Sequence, residues 1–263
     1  MVSRSPTAPA RRSATRFADH FSRQAGAYAA FRPTYPRGLI ARLAGLAPGL
    51  DAAWDCATGN GQAALLLAAH FAQVLATDAS REQLARAVPH PQVVYREALA
   101  DDSGAPSASV DLITVAQALH WFDLDGFYDE ARRVLRPNGV LAVWCYGAAR
   151  VSPEIDRVLD WFYTQRVGRH WPLERRHVEA GYRDLTFPFA EVDIGAWSMT
   201  ASLDRRTLIG YVGTWSAVGR THEAEGGDPL VDLATALAAP RPDKAATEPR
   251  TVTWPLGIRV GRQ

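Results

Sequence analysis

The chain has 263 residues, 47% of them hydrophobic and 22% charged, and its 29 basic and 28 acidic side chains leave a formal net charge of +1. That length can bury a substantial core as one large domain or a domain with a cap, while a charge so near zero gives no general attraction to nucleic acid or anionic lipid. The longest mostly apolar run, "AALLLAAHFAQVLA", is interrupted by His70 and Gln73 and is too short to span a bilayer, so the expectation is a cytoplasmic globular protein with neither nucleic acid nor membrane as partner.

Residues 1–16, "MVSRSPTAPARRSATR", carry four arginines and no acid, a composition shared by transit peptides and ordinary flexible tails; a tail is expected. From Phe17 the pattern turns helical and stops at "RPTYP", where two prolines break the helix, and a second helix covers roughly 36–46. Alternating units follow: a strand near 51–56, a glycine turn, a helix from Gln62 to Phe71, the strand "QVLATD", and a helix announced by Ser80 with Gln83 three residues on, a capping-box signal. Strands "VVYRE" and "VDLITVAQ", a helix near 124–135, the turn "RPNG" and the apolar strand "VLAVWCYG" continue the rhythm, which predicts a parallel doubly wound sheet buried on both faces.

Beyond Gly147 the rhythm changes. Residues 150–184 read as an arginine- and aromatic-rich helical insert; a strand "EVDIGAWSM", a helix through "RRTLIGYVGTWSA", another near 228–238 and a loop over 239–249 come next. The last strand, "TVTWPLGIRV", puts Val252, Trp254, Leu256, Ile258 and Val260 on one face and suits an antiparallel strand, although Pro255 is awkward in a central position because it cannot donate to the ladder.

Two residue types narrow the chemistry. Lys244 is the only lysine and lies in a loop-like stretch, which removes Schiff-base enzymes and phosphate-gripping P-loops. Cys56 and Cys145 lie near the ends of different strands without metal-ligand spacing; if those strands flank a third, their backbones are about 9 to 10 Å apart, too far for a disulfide. Buried free thiols, a reducing compartment and no metal are expected.

The stretch "WDCATGNGQAA", residues 54–64, carries the chemistry. Gly59-x-Gly61-x-x-Ala64, with Asp78 nineteen residues beyond Gly59, fits a dinucleotide fingerprint on its face, so the glycines leave two ligands open. Asp55 discriminates. A carboxylate just before the turn would repel a diphosphate and attract the ammonium and sulfonium of S-adenosylmethionine.

With "FSRQAGAYAAFRPTYP", "WDCATGNGQ", "ATDAS", "ALADD", "VDLITVAQALHWFD" and "ARRVLRPNGVLAVWCYG" in this order and spacing, the chain resembles the class I S-adenosylmethionine-dependent methyltransferases from about residue 17 to the C-terminus. Within them, "RPTYP", "AQALHWFD" and "GYVGTWSA" look like the small-molecule subgroup that includes the fungal trans-aconitate methyltransferases. The resemblance implies a Rossmann-like doubly wound α/β fold of seven mostly parallel strands, with an antiparallel C-terminal strand and a helical cap. The methyltransferase domain would span 17–263, with a lid at 17–36 and the cap at 150–184.

It also implies S-adenosyl-L-methionine as donor, S-adenosyl-L-homocysteine as product and a small-molecule acceptor. By position, Asp55, Ala57, Gly59 and Gly61 would surround the methionine moiety and ribose; Asp78, with Ala79 beside it, would accept the ribose hydroxyls. Ala100 and Asp101 would meet adenine, Gln117 would lie beneath the methyl, and Tyr28 or Arg32 of the lid would bind the donor's carboxylate. Tyr35, His120, Trp121, Tyr146 and Trp215 would line the acceptor site, with His120 as base or orienting group. Ala57 departs from the family's usual glycine, which is tolerated at negative φ and strained at positive φ, and Asn138 replaces another in "RPNG". One or two inward arginines of the insert would favour an anionic acceptor, a carboxylic acid or a phenol. A non-catalytic relative of the same fold and a nicotinamide-dependent oxidoreductase remain as alternatives.

Overall fold

The computed structural model describes residues 33–238 and 248–263. The N-terminal tail, most of the lid with Tyr28 and Arg32, and Lys244 lie outside the described residues.

Helix α1 (Arg37–Ala44) leads into β1 (Ala52–Cys56), α2 (Gln62–Leu67), β2 (Gln73–Asp78), α3 (Arg81–Leu84), β3 (Val93–Glu97) and β4 (Val110–Ala116). A 3-10 turn (Leu119–Trp121), α4 (Leu124–Val134) and β5 (Leu135–Tyr146) complete the alternating half. Ser80 caps α3 by accepting from the Gln83 N–H at 3.3 Å, as its spacing predicts. The insert region holds α5 (Pro153–Trp161), a π turn (Phe162–Arg166), a 3-10 turn (Gly168–His170) and α6 (Arg175–Glu179). After it come β6 (Ala190–Glu191), β7 (Ser198–Leu203), α7 (Arg205–Gly213), α8 (Ser216–Glu225), α9 (Leu230–Ala238) and β8 (Arg250–Arg262).

The sheet runs β3-β2-β1-β4-β5-β8-β6, with β7 beside the first half of β8. The first five strands are parallel, and β8 is antiparallel to β5, β6 and β7. This is the Rossmann-like architecture the alternation implies, with one strand more than seven. The extra strand arises because "EVDIGAWSM" is cut in two: Gly195 sits at φ +76° and donates its N–H to the Asp193 carboxylate, a turn that ends β6 before β7 can begin.

Side-chain alternation builds two cores. Ala53, Val74, Ala76, Leu112, Val140, Ala142 and Trp144 face α1, α2, α5 and α7–α9, whereas Trp54, Cys56, Ile113, Val115, Leu141, Val143 and Cys145 face α4 and α6. The even positions of β8 from Val252 to Val260 all face the first core. Pro255 causes no loss there. Thr253 points its N–H at Arg150 and Leu256 points its own at Trp197, so by alternation the Pro255 nitrogen faces residues 147–149, where β5 has already ended. Cys56 and Cys145 are buried free thiols on β1 and β5, which flank β4.

Candidate functional site

The strand order reverses between β1 and β4, and a crevice forms there outside the carboxyl ends of the parallel strands. The turn after β1 begins where the Thr58 N–H donates to the Thr77 carbonyl at 2.8 Å, and it closes when Gly61, at φ +87°, caps α2. A Cβ on Gly61 would fall 2.4 Å from the Tyr95 hydroxyl, so both its backbone and its neighbour require glycine. A Cβ on Gly59, at φ +58°, would meet nothing within 4 Å among the described residues, so the backbone is open on that side.

Asp55 ends up beneath the turn and is only 1% exposed. Thr114 donates its hydroxyl to one carboxylate oxygen at 2.7 Å and Thr58 to the other at 2.5 Å. Burial nevertheless dominates and pushes its pKa up to about 6, with the nearby Asp78 charge adding to the rise. Asp78, at the end of β2, accepts the Gly59 N–H on one oxygen and the Ser80 N–H on the other, both at 2.8 Å. Ala57 takes φ +54°, the strained alternative for a residue carrying a Cβ. Asp101 is exposed on the loop after β3 and packs near Gly126 at the start of α4, close to Ala100.

Across the crevice, Gln117 also takes a left-handed conformation, φ +59°. Its side-chain N–H donates to the Tyr146 carbonyl at 2.9 Å, and its buried Oε1 has no partner among the described residues. Tyr35 packs edge-on against Trp144 with ring centroids 5.3 Å apart. His120 stacks beside Trp121 at 4.7 Å, and its Nδ1 shares a hydrogen bond of 2.9 Å with the Tyr182 hydroxyl. Desolvation, followed by the charges of Arg175 and His177, drives its pKa down to about 3. Trp215 belongs to a separate wall with Phe162, Tyr163, Trp171 and Tyr211, at centroid distances of 5.6 to 6.3 Å.

A methyltransferase-domain family profile matches residues 54–143. A candidate methyltransferase of Dictyostelium discoideum is 34% identical over 227 residues, 85% of this chain and 86% of that one. The chain belongs to the class I S-adenosylmethionine-dependent methyltransferases. A candidate type II methyltransferase from Anaeromyxobacter dehalogenans shares 46% identity with a TM-score of 0.83, covering 88% of this chain and 98% of its own. The structure of a candidate methyltransferase from Anabaena variabilis, 16% identical with a TM-score of 0.51 over 82% of this chain and 96% of its own, shares the fold alone. The nicotinamide-dependent alternative is thereby overturned.

The crevice of this methyltransferase fits its donor. Asp55 and Asp78 flank the glycine turn, and a buried Gln117 oxygen with no partner among the described residues follows β4, the strand beside β1, a set that suits hydroxyls and a cation and repels a diphosphate. Among the residues the sequence points to, the structure joins Asp55, Ala57, Gly59, Gly61, Asp78 and Ala79 around one turn, joins Gln117 to Tyr146, and joins His120 to Trp121. Sequence reading missed Thr58 and Thr114, which hold Asp55, and Tyr182, which holds His120. Thr58 could be found as a hydroxyl three residues after the acid. Tyr182, at φ +63° after Gly181, is brought to His120 only by tertiary folding.

Proposed function

We propose that this methyltransferase transfers a methyl group to the oxygen of a small-molecule acceptor, and that a carboxylate is favoured over a phenol. The observation that carries the reading is the setting of His120, half-buried with its Nδ1 engaged by the Tyr182 hydroxyl. With a pKa of about 3 it is uncharged at neutral pH and too weak a base to deprotonate a phenol efficiently, while a carboxylate arrives already ionised. The likeness of "RPTYP", "AQALHWFD" and "GYVGTWSA" to the fungal trans-aconitate methyltransferases supports the same acceptor class.

When bound, S-adenosylmethionine supplies an electrophilic methyl carbon on a positively charged sulfur and leaves as neutral S-adenosylhomocysteine. The chain's residues do the rest. Asp78 would hold the ribose hydroxyls through a carboxylate already oriented by two backbone N–H groups, Ala79 would lie beside it, and Ala100 and Asp101 would meet adenine. Asp55, below the turn at Ala57, Gly59 and Gly61, would favour the cationic methionine end, and Gln117 Oε1 would find its missing donor there or on the acceptor. Tyr35, Trp121, Tyr146 and Trp215 would exclude water and orient the acceptor, and His120, held by Tyr182, would act as a neutral hydrogen-bonding group. Positioning of nucleophile and methyl is the main catalytic device. Incubation with isotopically labelled donor and a panel of carboxylic acids, phenols and amines, followed by mass analysis, tests the reading. A methyl ester of an acid is the expected product, and exclusive methylation of phenols or amines would sink it.

A further inference from the structure

The insert carries seven arginines, and most have an evident partner or face water. Arg150 pairs with Asp160, Arg166 with Glu225 and Asp232, and Arg169 with Glu225, while Arg157, Arg176 and Arg183 are exposed. Arg175 differs. It is half-buried, and among the described residues no carboxylate pairs with it.

Its surroundings hold it in place without neutralising it. The guanidinium lies 4.7 Å from the ring centre of Trp171 and 5.5 Å from that of Tyr163. Its Nε donates to the Tyr163 hydroxyl at 2.8 Å, and that hydroxyl in turn donates to Glu179 at 2.5 Å. This contact fixes the plane of the fork while leaving both terminal nitrogens without a hydrogen-bonded partner among the described residues. Helix α6, which carries Arg175, packs against the 3-10 turn Leu119–Trp121 and against β5, and the Arg175 charge is felt at His120, Tyr182 and Cys145 there. Trp215 closes the same wall, 5.7 Å from Trp171. A planar cation braced by aromatic rings, with two parallel donors free, matches a carboxylate in both charge and shape.

We propose that Arg175 is the specificity-determining residue for the acceptor, gripping a carboxylate of an unsaturated or aromatic acid with its two terminal nitrogens. This rests on the reading that the acceptor is a small acid. A purely structural Arg175, serving only to stack on Trp171 and Tyr163, would stabilise the insert without discriminating between an acid and its amide.

The test is calorimetric titration of the full chain, saturated with S-adenosylhomocysteine, with benzoate and trans-cinnamate and with their neutral amides. The wild type is expected to bind at least one acid about tenfold or more tightly than its amide. Arg175→Gln should remove that preference while leaving S-adenosylhomocysteine affinity unchanged. Arg175→Lys, which keeps the stem and the charge but loses the fork, should keep part of it and carries the test if the glutamine variant does not fold. Equal binding of acid and amide by the wild type, or a preference that survives Arg175→Gln, would overturn the proposal. The two readings fail separately: methyl esters formed with an unchanged preference in Arg175→Gln remove only the role of Arg175, whereas methylated phenols or amines alone remove the acid reading itself.

Discussion

Asp55 combines full burial, two hydroxyl donors and a pKa near 6, so in the free protein its charge is only marginally maintained around that pH. A bound ammonium favours the carboxylate, so binding releases a proton wherever Asp55 is protonated beforehand. The affinity for S-adenosylhomocysteine should therefore rise with pH toward a plateau above about 6 and fall by up to about tenfold per unit below it. Calorimetry at pH 5 and pH 7 checks this, and Asp55→Asn should bind more weakly with a flatter profile; equal wild-type affinities at both pH values would refute the coupling. His120 leads to the opposite expectation, because its lowered pKa leaves it neutral throughout the working range. His120→Asn should lower kcat/KM several-fold without altering the shape of the rate profile between pH 5 and 8. A wild-type inflection near 6.5 that vanishes in the variant would instead make it a base. At Ala57, φ +54° forces a Cβ into the left-handed region, and Ala57→Gly should stabilise the fold by about 1 kcal/mol, read as a higher Tm.

At the scale of elements, the region carrying Arg175 and Tyr182 is seated by a backbone contact. A Cβ on Gly257 of β8 would lie 2.5 Å from the Gly181 Cα, and Gly181 itself needs φ +61°. Gly257→Ala should therefore cost about 1–3 kcal/mol and push the turn after α6 outward, weakening the His120–Tyr182 contact. Acceptor KM should rise while donor affinity changes little; an unchanged KM with a lowered Tm would confine the contact to stability. Elements governed by local rules were legible in the sequence: the capped α3, the alternating β8 and the buried runs of β1 and β4. Those set by non-local pairing were not. "RPNG" reads as a turn before β5, yet Leu135 already pairs with Val110, and the next aligned pair is Leu112 with Val140, so residues 136–139 bulge out of a strand that has already begun. Asn138 absorbs the bend at φ +62°. The stretch expected as one helix through "RRTLIGYVGTWSA" breaks at Thr214 and Trp215, where the Thr214 hydroxyl donates to the Tyr211 carbonyl at 2.6 Å and Trp215 packs against Tyr163 and Trp171. In the candidate site, the residues proposed to hold the donor follow one another along short, recognisable turns. Those proposed to face the acceptor come from segments more than fifty residues apart, which no local pattern encodes.

The whole molecule separates chemistry from cohesion along its strands. The crevice occupies the carboxyl ends, and the opposite ends of β1 and β4 are tied by an ionic cluster. Asp111, buried to 1% exposure, accepts the N–H groups of Asp51 and Ala52 at 3.1 Å, and the bulge near the start of β5 delivers Arg136 to it at 3.0 Å and to Asp51 at 2.9 Å. The looped-out residues thus supply the cation that a buried carboxylate between two parallel strands requires. Removing that cation leaves Asp111 with backbone donors alone. Because Arg136 is one-third exposed and water can partly replace it, Arg136→Ala should cost about 1–3 kcal/mol rather than the full penalty of an isolated buried charge. For a chain of this size that corresponds to a fall in Tm of roughly 2–4 °C per kcal/mol. The affinity for S-adenosylhomocysteine, measured well below the melting range, should stay at the wild-type value because the cluster and the crevice occupy opposite rims of the sheet. A loss of donor affinity in a variant that remains folded would mean that strain passes along β1 and β4 from one rim to the other, and the separation of roles along the strands would fall.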